Sequence, residues 1–302
     1  MDVLPTFPAA APLDFCHQPL IAGILGRRGI HSADYSFYNL FGWYLEHPAQ
    51  ISRLGDHLVL SVEGPGGSRL YLPPLGEGPI LAPLEALLSH LSRTGGPLSL
   101  PFVPRRIKEE IVAAVPLCRA EERRGDYDYL YDRGELAELA GRKFHQKKNF
   151  VNRVLEEMKP VVEEMTPAHH AEVLAYLDHW YAGFPVADET VHLEALAARR
   201  ALPHLTRMGG MALLARVDGR LAGVTFASPV HDGCWVVTLE KAERILKGMY
   251  QFLNWSLANR LPAAVKLINR ETDLGLEGLR TAKLSYHPVG FEEKFTLWFC
   301  GS

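Results

Sequence analysis

Cysteine is scarce in this sequence: there are four, Cys16, Cys118, Cys234 and Cys300, far apart and with no CxxC pair. That pattern excludes a zinc ribbon and a disulfide framework and fits a reducing compartment. Metal-ligand spacing is missing as well. Thirteen histidines include the tandem His169-His170, but no HExxH or comparable pair, so no metal site is expected. An excess of positive charge is also absent. Lys and Arg number 32 against 35 Asp and Glu, a net charge of −3, which excludes general nucleic-acid binding by the whole chain and leaves only local basic patches. No apolar run reaches the ~18 residues that cross a bilayer. Residues 1–15 hold neither a basic stretch nor a long apolar one, so the expectation is a cytoplasmic protein that meets lipid, if at all, from the side.

What is present is globular material. The 302 residues suit one large domain or two of about 150, and the core this permits needs no staple. In the first half, 52–62 and 68–72 read as a hairpin across Gly64-Pro65-Gly66-Gly67. A helix follows over 80–91, then a strand over 98–102. Pro104 opens a helix through Ala114, proline being favoured in a first turn. A strand over 127–131 closes the half.

The second half begins with one long polar helix, 135–157, with Asp132 as its N-cap. A strand over 161–165 and helices over 167–181 and 188–201 come next. Strands are expected over 210–217, 221–229 and 233–239, the first two joined by Asp218-Gly219, the strongest short hairpin signal in the chain. Residues 246–261 are an amphipathic helix, with Leu246, Met249, Tyr250, Leu253 and Leu257 on one face. A strand over 264–268, a helix over 277–284 and a strand over 292–299 complete the order.

That order resembles the GCN5-related N-acetyltransferase (GNAT) fold, and the first half gives a shortened version of it. The expected fold class is therefore α/β (α+β): tandem GNAT-like domains with mixed central sheets, an N-terminal one over 1–132 and a C-terminal one over 133–302 that carries the active site. No residue-level repeat is visible. Several blocks then resemble one family, the C-terminal domain of phosphatidylglycerol lysyltransferases. They are Asp128-Tyr129-Leu130-Tyr131, residues 139–153, Thr238-Leu239-Glu240-Lys241-Ala242, Ile268-Asn269-Arg270-Glu271-Thr272-Asp273-Leu274-Gly275, residues 279–288, and Glu293-Lys294-Phe295. The resemblance covers nearly the whole chain and is strongest over 126–300.

The fold resemblance implies that an acyl donor lies where two parallel strands splay apart. It also implies that the helix after the fourth strand aims its N-terminus at donor phosphates. Arg244, Lys247 and Gly248 stand at that helix start. Acetyl-CoA enzymes usually carry Q/R-x-x-G-x-G/A there, and this chain has one glycine in register. The family resemblance implies aminoacyl-tRNA as donor, with a CoA thioester as the alternative, and no tightly bound cofactor. The acceptor is an amine or hydroxyl on a lipid, a peptide or a small molecule. A non-catalytic ligand-, tRNA- or lipid-binding protein is the contrasting reading. The membrane members place this domain behind transmembrane helices, and the sequence shows no such block. It carries no signal of oligomeric state.

Candidate residues follow from position. Arg142, Lys143, His145, Lys147, Lys148 and Arg153 form a basic helix suited to tRNA or another anion, or a solvated linker helix diluted by Glu156 and Glu157. Transfer from an activated ester needs positioning, proton removal and oxyanion stabilisation. Glu240 and Asp273 are candidate bases at strand ends, where polar residues also serve simply as caps. Arg270, Lys283 and Lys294 are candidate contacts for a donor phosphate or another anion. Tyr286 is the candidate acid for the leaving group, with His287 as its alternative. Trp180, Tyr181 and Phe184 form a pocket wall or core packing.

Overall fold

The computed structural model describes residues 4–44, 47–115, 119–183 and 189–300. After a two-residue strand β1 (Ala11–Pro12) come helices α1 (Gln18–Arg28) and α2 (Phe37–Gly42), neither of which follows from the patterns above. Strands β2 (Gln50–Leu54), β3 (His57–Glu63) and β4 (Arg69–Tyr71) join β1 in an antiparallel sheet of order β1-β2-β3-β4. The expected strand over 52–62 is thus two strands. Gly55, at φ 60°, and Asp56 turn the chain, with Leu54 paired to His57. Helix α3 (Leu81–Thr94) stops on the left-handed Gly95, the usual device for ending a helix. Then come β5 (Ser99–Pro104), α4 (Arg105–Ala114), β6 (Arg119–Glu122) and β7 (Asp128–Asp132). Pro104 is the cap of α4, not its first residue.

The single long helix expected over 135–157 is broken. Asp132 does cap α5 (Arg133–Glu138), accepting the Glu135 N–H at 2.8 Å. The chain then leaves the helical region at Leu139 (φ 46°) and Gly141 (φ 80°) and restarts as α6 (His145–Arg153), ending in a π turn. Next are β8 (Val161–Glu164), α7 (His170–Tyr181), α8 (Glu189–Ala201), β9 (Met211–Val217), β10 (Arg220–His231) and β11 (Cys234–Ala242). Asp188, the expected start of α8, lies outside the described residues. Asp218 and Gly219 both take positive φ, 50° and 75°, as a type I′ hairpin turn requires. The chain finishes with α9 (Met249–Arg260), β12 (Leu267–Asn269), α10 (Glu277–Leu284), β13 (Gly290–Glu292) and β14 (Lys294–Trp298).

The central sheet runs β13-β7-β12-β11-β10-β9-β8, with β11 and β12 parallel and the other pairs antiparallel. The expected strand over 292–299 is divided between two sheets. β13 pairs with β7, and β14, one residue later, enters a three-stranded sheet between β5 and β6. The halves therefore exchange strands across residue 132. β7 serves the sheet of the second half, and β14 serves a sheet of the first. One face of the central sheet, with Phe226, Val236 and Leu239, packs in one continuous core with α1, α2 and β3. The other face, with Leu213, Val237 and Ala242, packs against Phe252, Leu253 and Leu257 of α9 and Phe144 and Val151 near α6. α9 is not the one-faced helix expected, since Asn254, Ser256 and Ala258 are buried along with its apolar residues. The architecture is that of tandem GNAT-like domains with a mixed central sheet.

Candidate functional site

β11 and β12 stay together only from Cys234–Leu267 to Val236–Asn269. β11 then continues along β10, while the chain after β12 is drawn toward β7, where Arg270 N–H donates to the Tyr129 carbonyl at 3.0 Å. The strands part, and two side chains bridge the opening. Arg270 Nη2 donates to Glu240 Oε1 at 3.0 Å, and both side chains are at least 85% buried. Burial pushes the Glu240 carboxyl above its usual range, opposed by Arg270, Lys283 and Lys241. Its second oxygen, Oε2, is buried without a hydrogen-bond partner among the described residues, as are both polar atoms of Asn254 on α9.

Three more groups close on this pair. Lys283, from α10, donates to the Arg270 carbonyl. Burial and then the neighbouring Arg270 charge lower its ammonium from 10.5 to about 8, against the pull of Glu271 and Glu240. Tyr286 is 7% exposed, and its ring lies 4.8 Å from the Arg270 guanidinium and 4.3 Å from Lys147 Nζ. Burial lifts its hydroxyl pKa, so it remains protonated at neutral pH. Lys147 is itself buried, donates to Ser285 Oγ at 2.7 Å and is lowered by burial and by Arg270. One carboxylate, three cations and a neutral tyrosine thus meet where the two strands part. Such a site suits an anionic or developing-anionic group, because positive charge fixed in a low-dielectric pocket acts strongly on it.

Several expected site residues lie elsewhere. Asp273 is fully buried, but its oxygens are taken by Tyr129 hydroxyl (2.6 Å), Arg280 Nε (2.8 Å) and Nη2 (3.1 Å), and Gly275 N–H (2.8 Å). The hydrogen bonds from Arg280 first, then Tyr129, hold its carboxyl well below the usual range, so it makes a poor base. Lys294 contacts no opening. Its Nζ is 2.7 Å from Asp34 and 2.8 Å from Asp128, a buried triad that Asn269 and the Ala33 N–H complete through Asp128. Burial works against the Lys294 charge, but Asp128 and Asp34 outweigh it.

Arg244 and Lys247 are exposed in the turn before α9, and Gly248 is its N-cap at φ 97°. A Cβ there would lie 3.0 Å from Val154 and 3.1 Å from the Phe150 carbonyl, so close packing on α6 and the backbone both call for glycine.

The basic segment divides. Lys147 faces the site. Lys143 pairs with Glu135 at 2.7 Å and Arg153 with Glu157 at 3.9 Å. Arg142, His145 and Lys148 line an open groove of ≈ 620 Å³ with Leu139, Gly141 and Gln146. His287 packs its ring on Phe144 and bonds the Lys143 carbonyl at 3.1 Å, so it shapes the loop. Trp180 donates to the Ala242 carbonyl at 3.1 Å, under Lys241, whose Nζ sits 4.4 Å from the ring centroid. Phe184 lies outside the described residues.

Sequence reasoning did not single out Asn254, or Glu271, whose carboxyl is raised by burial to about 7 and accepts from Asn39 at 3.0 Å. Glu271 was within reach, since it adjoins Arg270. Asn254 sits mid-helix with no signal. A third group lies 200 residues apart in the chain: ligand atoms of His31, His231 and Cys234 fall within 4.8 Å of one another. His231 Nδ1 accepts the Gly233 N–H at 3.2 Å, which leaves its Nε2 proton for His31 Nδ1 at 2.9 Å, a neutral His–His hydrogen bond.

Residues 27–298 match the family described as phosphatidylglycerol lysyltransferase, C-terminal. No curated protein is detectably similar. Among solved structures, a conserved protein of unknown function from Bacteroides thetaiotaomicron superposes with a TM-score of 0.91 at 29% identity, over 96% of this chain and 99% of its own. The C-terminal domain of a putative lysylphosphatidylglycerol synthetase from Agrobacterium fabrum gives 0.67 at 14%, over 95% and 93%. A tandem GNAT protein from the clavulanic acid biosynthesis pathway gives 0.52 at 14%, over 96% and 97%. The last two show likeness of fold.

Proposed function

The chain belongs to the phosphatidylglycerol lysyltransferase C-terminal family, one of acyl and aminoacyl transferases, and on that premise we propose that it transfers an aminoacyl group from aminoacyl-tRNA to an amine or hydroxyl acceptor. The observation that carries the reading is the Glu240–Arg270 pair across the opening between β11 and β12. A donor ester placed there meets each group the reaction needs. The acceptor lone pair attacks the ester carbonyl, and its proton passes to Glu240, whose burial makes it a stronger base than a surface carboxylate. The carbonyl oxygen gains negative charge opposite the Lys283 and Arg270 cations. As the carbon–oxygen bond to the tRNA ribose breaks, Tyr286 supplies the proton that the ribose oxygen takes, and Glu240 returns its proton to the tyrosine through solvent. Lys147, whose Nζ lies 4.3 Å from the Tyr286 ring centroid, stabilises the tyrosine's transient charge. Arg244 and Lys247, ahead of α9, serve the donor's phosphates, favoured there by the helix N-terminus.

The test is transfer from a mixture of radiolabelled aminoacyl-tRNAs into a cell extract, alongside calorimetry with CoA. Protein-dependent movement of label from one tRNA into an extract component, lost in Glu240→Gln, supports the proposal and names the donor. CoA binding without release from any tRNA replaces it with acyl-CoA transfer. Silence in both favours a binding protein.

A further inference from the structure

At the closed end of β11 and β12, where their pairing starts at Cys234–Leu267, three side chains of metal-binding type converge. His31 follows α1, His231 ends β10 and Cys234 begins β11. Their ligand atoms lie within 4.8 Å of one another. His231 and Cys234 are directly opposed across the Asp232-Gly233 turn, so both side chains leave the same face of the ribbon. Two residues between ligands is also the spacing of zinc-binding hairpins. The chain order shows only this half of the group, because His31 stands 200 residues from His231.

The group is held in place from behind. Asn269 donates through Nδ2 to the His31 carbonyl at 2.7 Å, and its backbone hydrogen-bonds the Cys234 sulfur. Glu292 accepts the His31 N–H at 2.8 Å. Such outer contacts fix ligand side chains before an ion arrives. Cys234 is fully buried, while both histidines are half-buried, which leaves a way in from solvent. Burial, then His231 and Arg106, lower the His31 imidazole from 6.5 to about 4, and burial lowers that of His231. Both rings are therefore neutral at pH 7, the form that binds metal. Arg106, beside His31, opposes a bound cation. Asp232, beside His231, and Glu292 and Asp128, whose charges act on Cys234, favour one.

We propose that His31, His231 and Cys234 bind one Zn²⁺ ion, with solvent in the fourth position. Imidazole and thiolate are ligands that zinc favours, whereas magnesium and calcium take oxygen. Zinc–nitrogen bonds of about 2.0–2.1 Å set two nitrogens roughly 3.3 Å apart in a tetrahedron. His31 Nδ1 and His231 Nε2, now 2.9 Å apart, need open only slightly to admit the ion. A zinc–sulfur bond of about 2.3 Å places sulfur roughly 3.6 Å from each nitrogen, so an inward swing of the half-buried rings closes the rest. His31 binds through the Nδ1 lone pair it already presents. His231 moves its proton from Nε2 to Nδ1 and gives up the 3.2 Å contact with the Gly233 N–H. Cys234 releases its thiol proton to solvent, and the sulfur–zinc bond takes its place. The ion ties the turn after α1 to the β10–β11 hairpin and so joins the two halves of the chain. Nothing in this site depends on the transfer reading above.

The experiment takes the full chain, strips it with a chelator and titrates it with Co²⁺ as a visible stand-in for Zn²⁺. A single equivalent should bring up the visible bands of four-coordinate cobalt and a near-ultraviolet charge-transfer band from sulfur, and Zn²⁺ should abolish both. Cys234→Ala should lose the charge-transfer band. His31→Gln should weaken Zn²⁺ binding at least about tenfold. His31 is half-buried, and melting of the metal-free variant reports whether it folds. Zn²⁺ at about 100 times its dissociation constant should raise the melting temperature of the unaltered protein by roughly 4 °C, and that shift should vanish in His31→Gln. Absence of the cobalt bands, or bands without charge transfer from sulfur, overturns the proposal. So do bands and a melting shift that Cys234→Ala and His31→Gln leave intact, since the exposed Cys16 or Cys300 would then hold the ion.

Discussion

Glu240 and Arg270 face each other at 3.0 Å across the gap where the two parallel strands of the central sheet part, one from the strand that continues and one from the residue just after the strand that stops. The pair bridges the gap, and the second carboxylate oxygen is buried on the side of Asn254, with no close hydrogen-bond partner among the described residues. Glu240→Gln keeps the shape and the acceptor toward Arg270 but cannot take a proton. Transfer should fall roughly 10²- to 10⁴-fold, the usual share of general-base catalysis, and the melting temperature should fall too, because the buried Arg270 loses the charge that compensates it. A steady-state rate series on folded protein checks this.

Burial, and then the Arg270 charge, lower the Lys283 ammonium from 10.5 to about 8. If its charge stabilises the oxyanion, kcat/KM falls as pH rises through about 8, because the amine loses the proton that carries that charge. Lys283→Arg keeps its charge far above that pH, so the high-pH limb should move beyond the measurable range even though the rate at pH 7 drops. A rate that instead rises through pH 8 would make Lys283 the base.

Local signals in the sequence fared well, and distant ones did not. Asp218-Gly219, the Asp132 cap and the 277–284 helix are written in neighbouring residues, and the structure has them. Glu240 and Arg270 were legible because strand ends at a splay bring polar side chains together. Asp273 looked like a base because Tyr129 and Arg280, which occupy its oxygens, are invisible as its partners in the chain order. Lys294 looked like an anion contact for the same reason, its partners being 260 and 166 residues away. The break at Leu139 was hidden because a leucine in left-handed backbone gives no local sign.

Lys294 holds three separate parts of the chain together, its own strand, the turn at Asp34 and the strand of Asp128. Lys294→Met removes the cation and leaves two carboxylates near each other, one of them fully buried. Breaking such a pair costs about 3–5 kcal/mol. A urea titration should show a midpoint shift of that size, and Asp34→Asn/Lys294→Met should recover part of it.

Glu292 is 8% exposed, and burial raises its carboxyl from 4.5 to about 7. The folded state therefore holds this proton more tightly than the unfolded chain. Its favourable contribution is complete below pH 4.5 and is lost as pH rises through about 7. Glu292→Gln stays neutral and still accepts the His31 N–H that Glu292 takes at 2.8 Å. The variant should be about 3 kcal/mol more stable than the unaltered protein at pH 8 and no more stable at pH 4, which calorimetric melting at the two pH values reads directly.

Arg244 and Lys247 stand exposed before the N-terminus of α9, while Lys147 is buried against Tyr286 and Ser285. The two kinds of cation should separate in a binding assay. Lys247→Ala removes a charge that meets phosphate in solution, so affinity for aminoacyl-tRNA should fall alike for every tRNA tested, and the slope of log affinity against log salt should lessen by about one. Lys147→Met removes a charge that no phosphate reaches, so that slope should stay, with the loss appearing in the rate of transfer at saturating tRNA. Filter binding across a salt series, paired with single-turnover rates, distinguishes them. Were Lys247→Ala to leave both slope and affinity unchanged, donor phosphates would not lie at this helix start, and the donor would have to enter the opening from the side of Arg270 and Lys283.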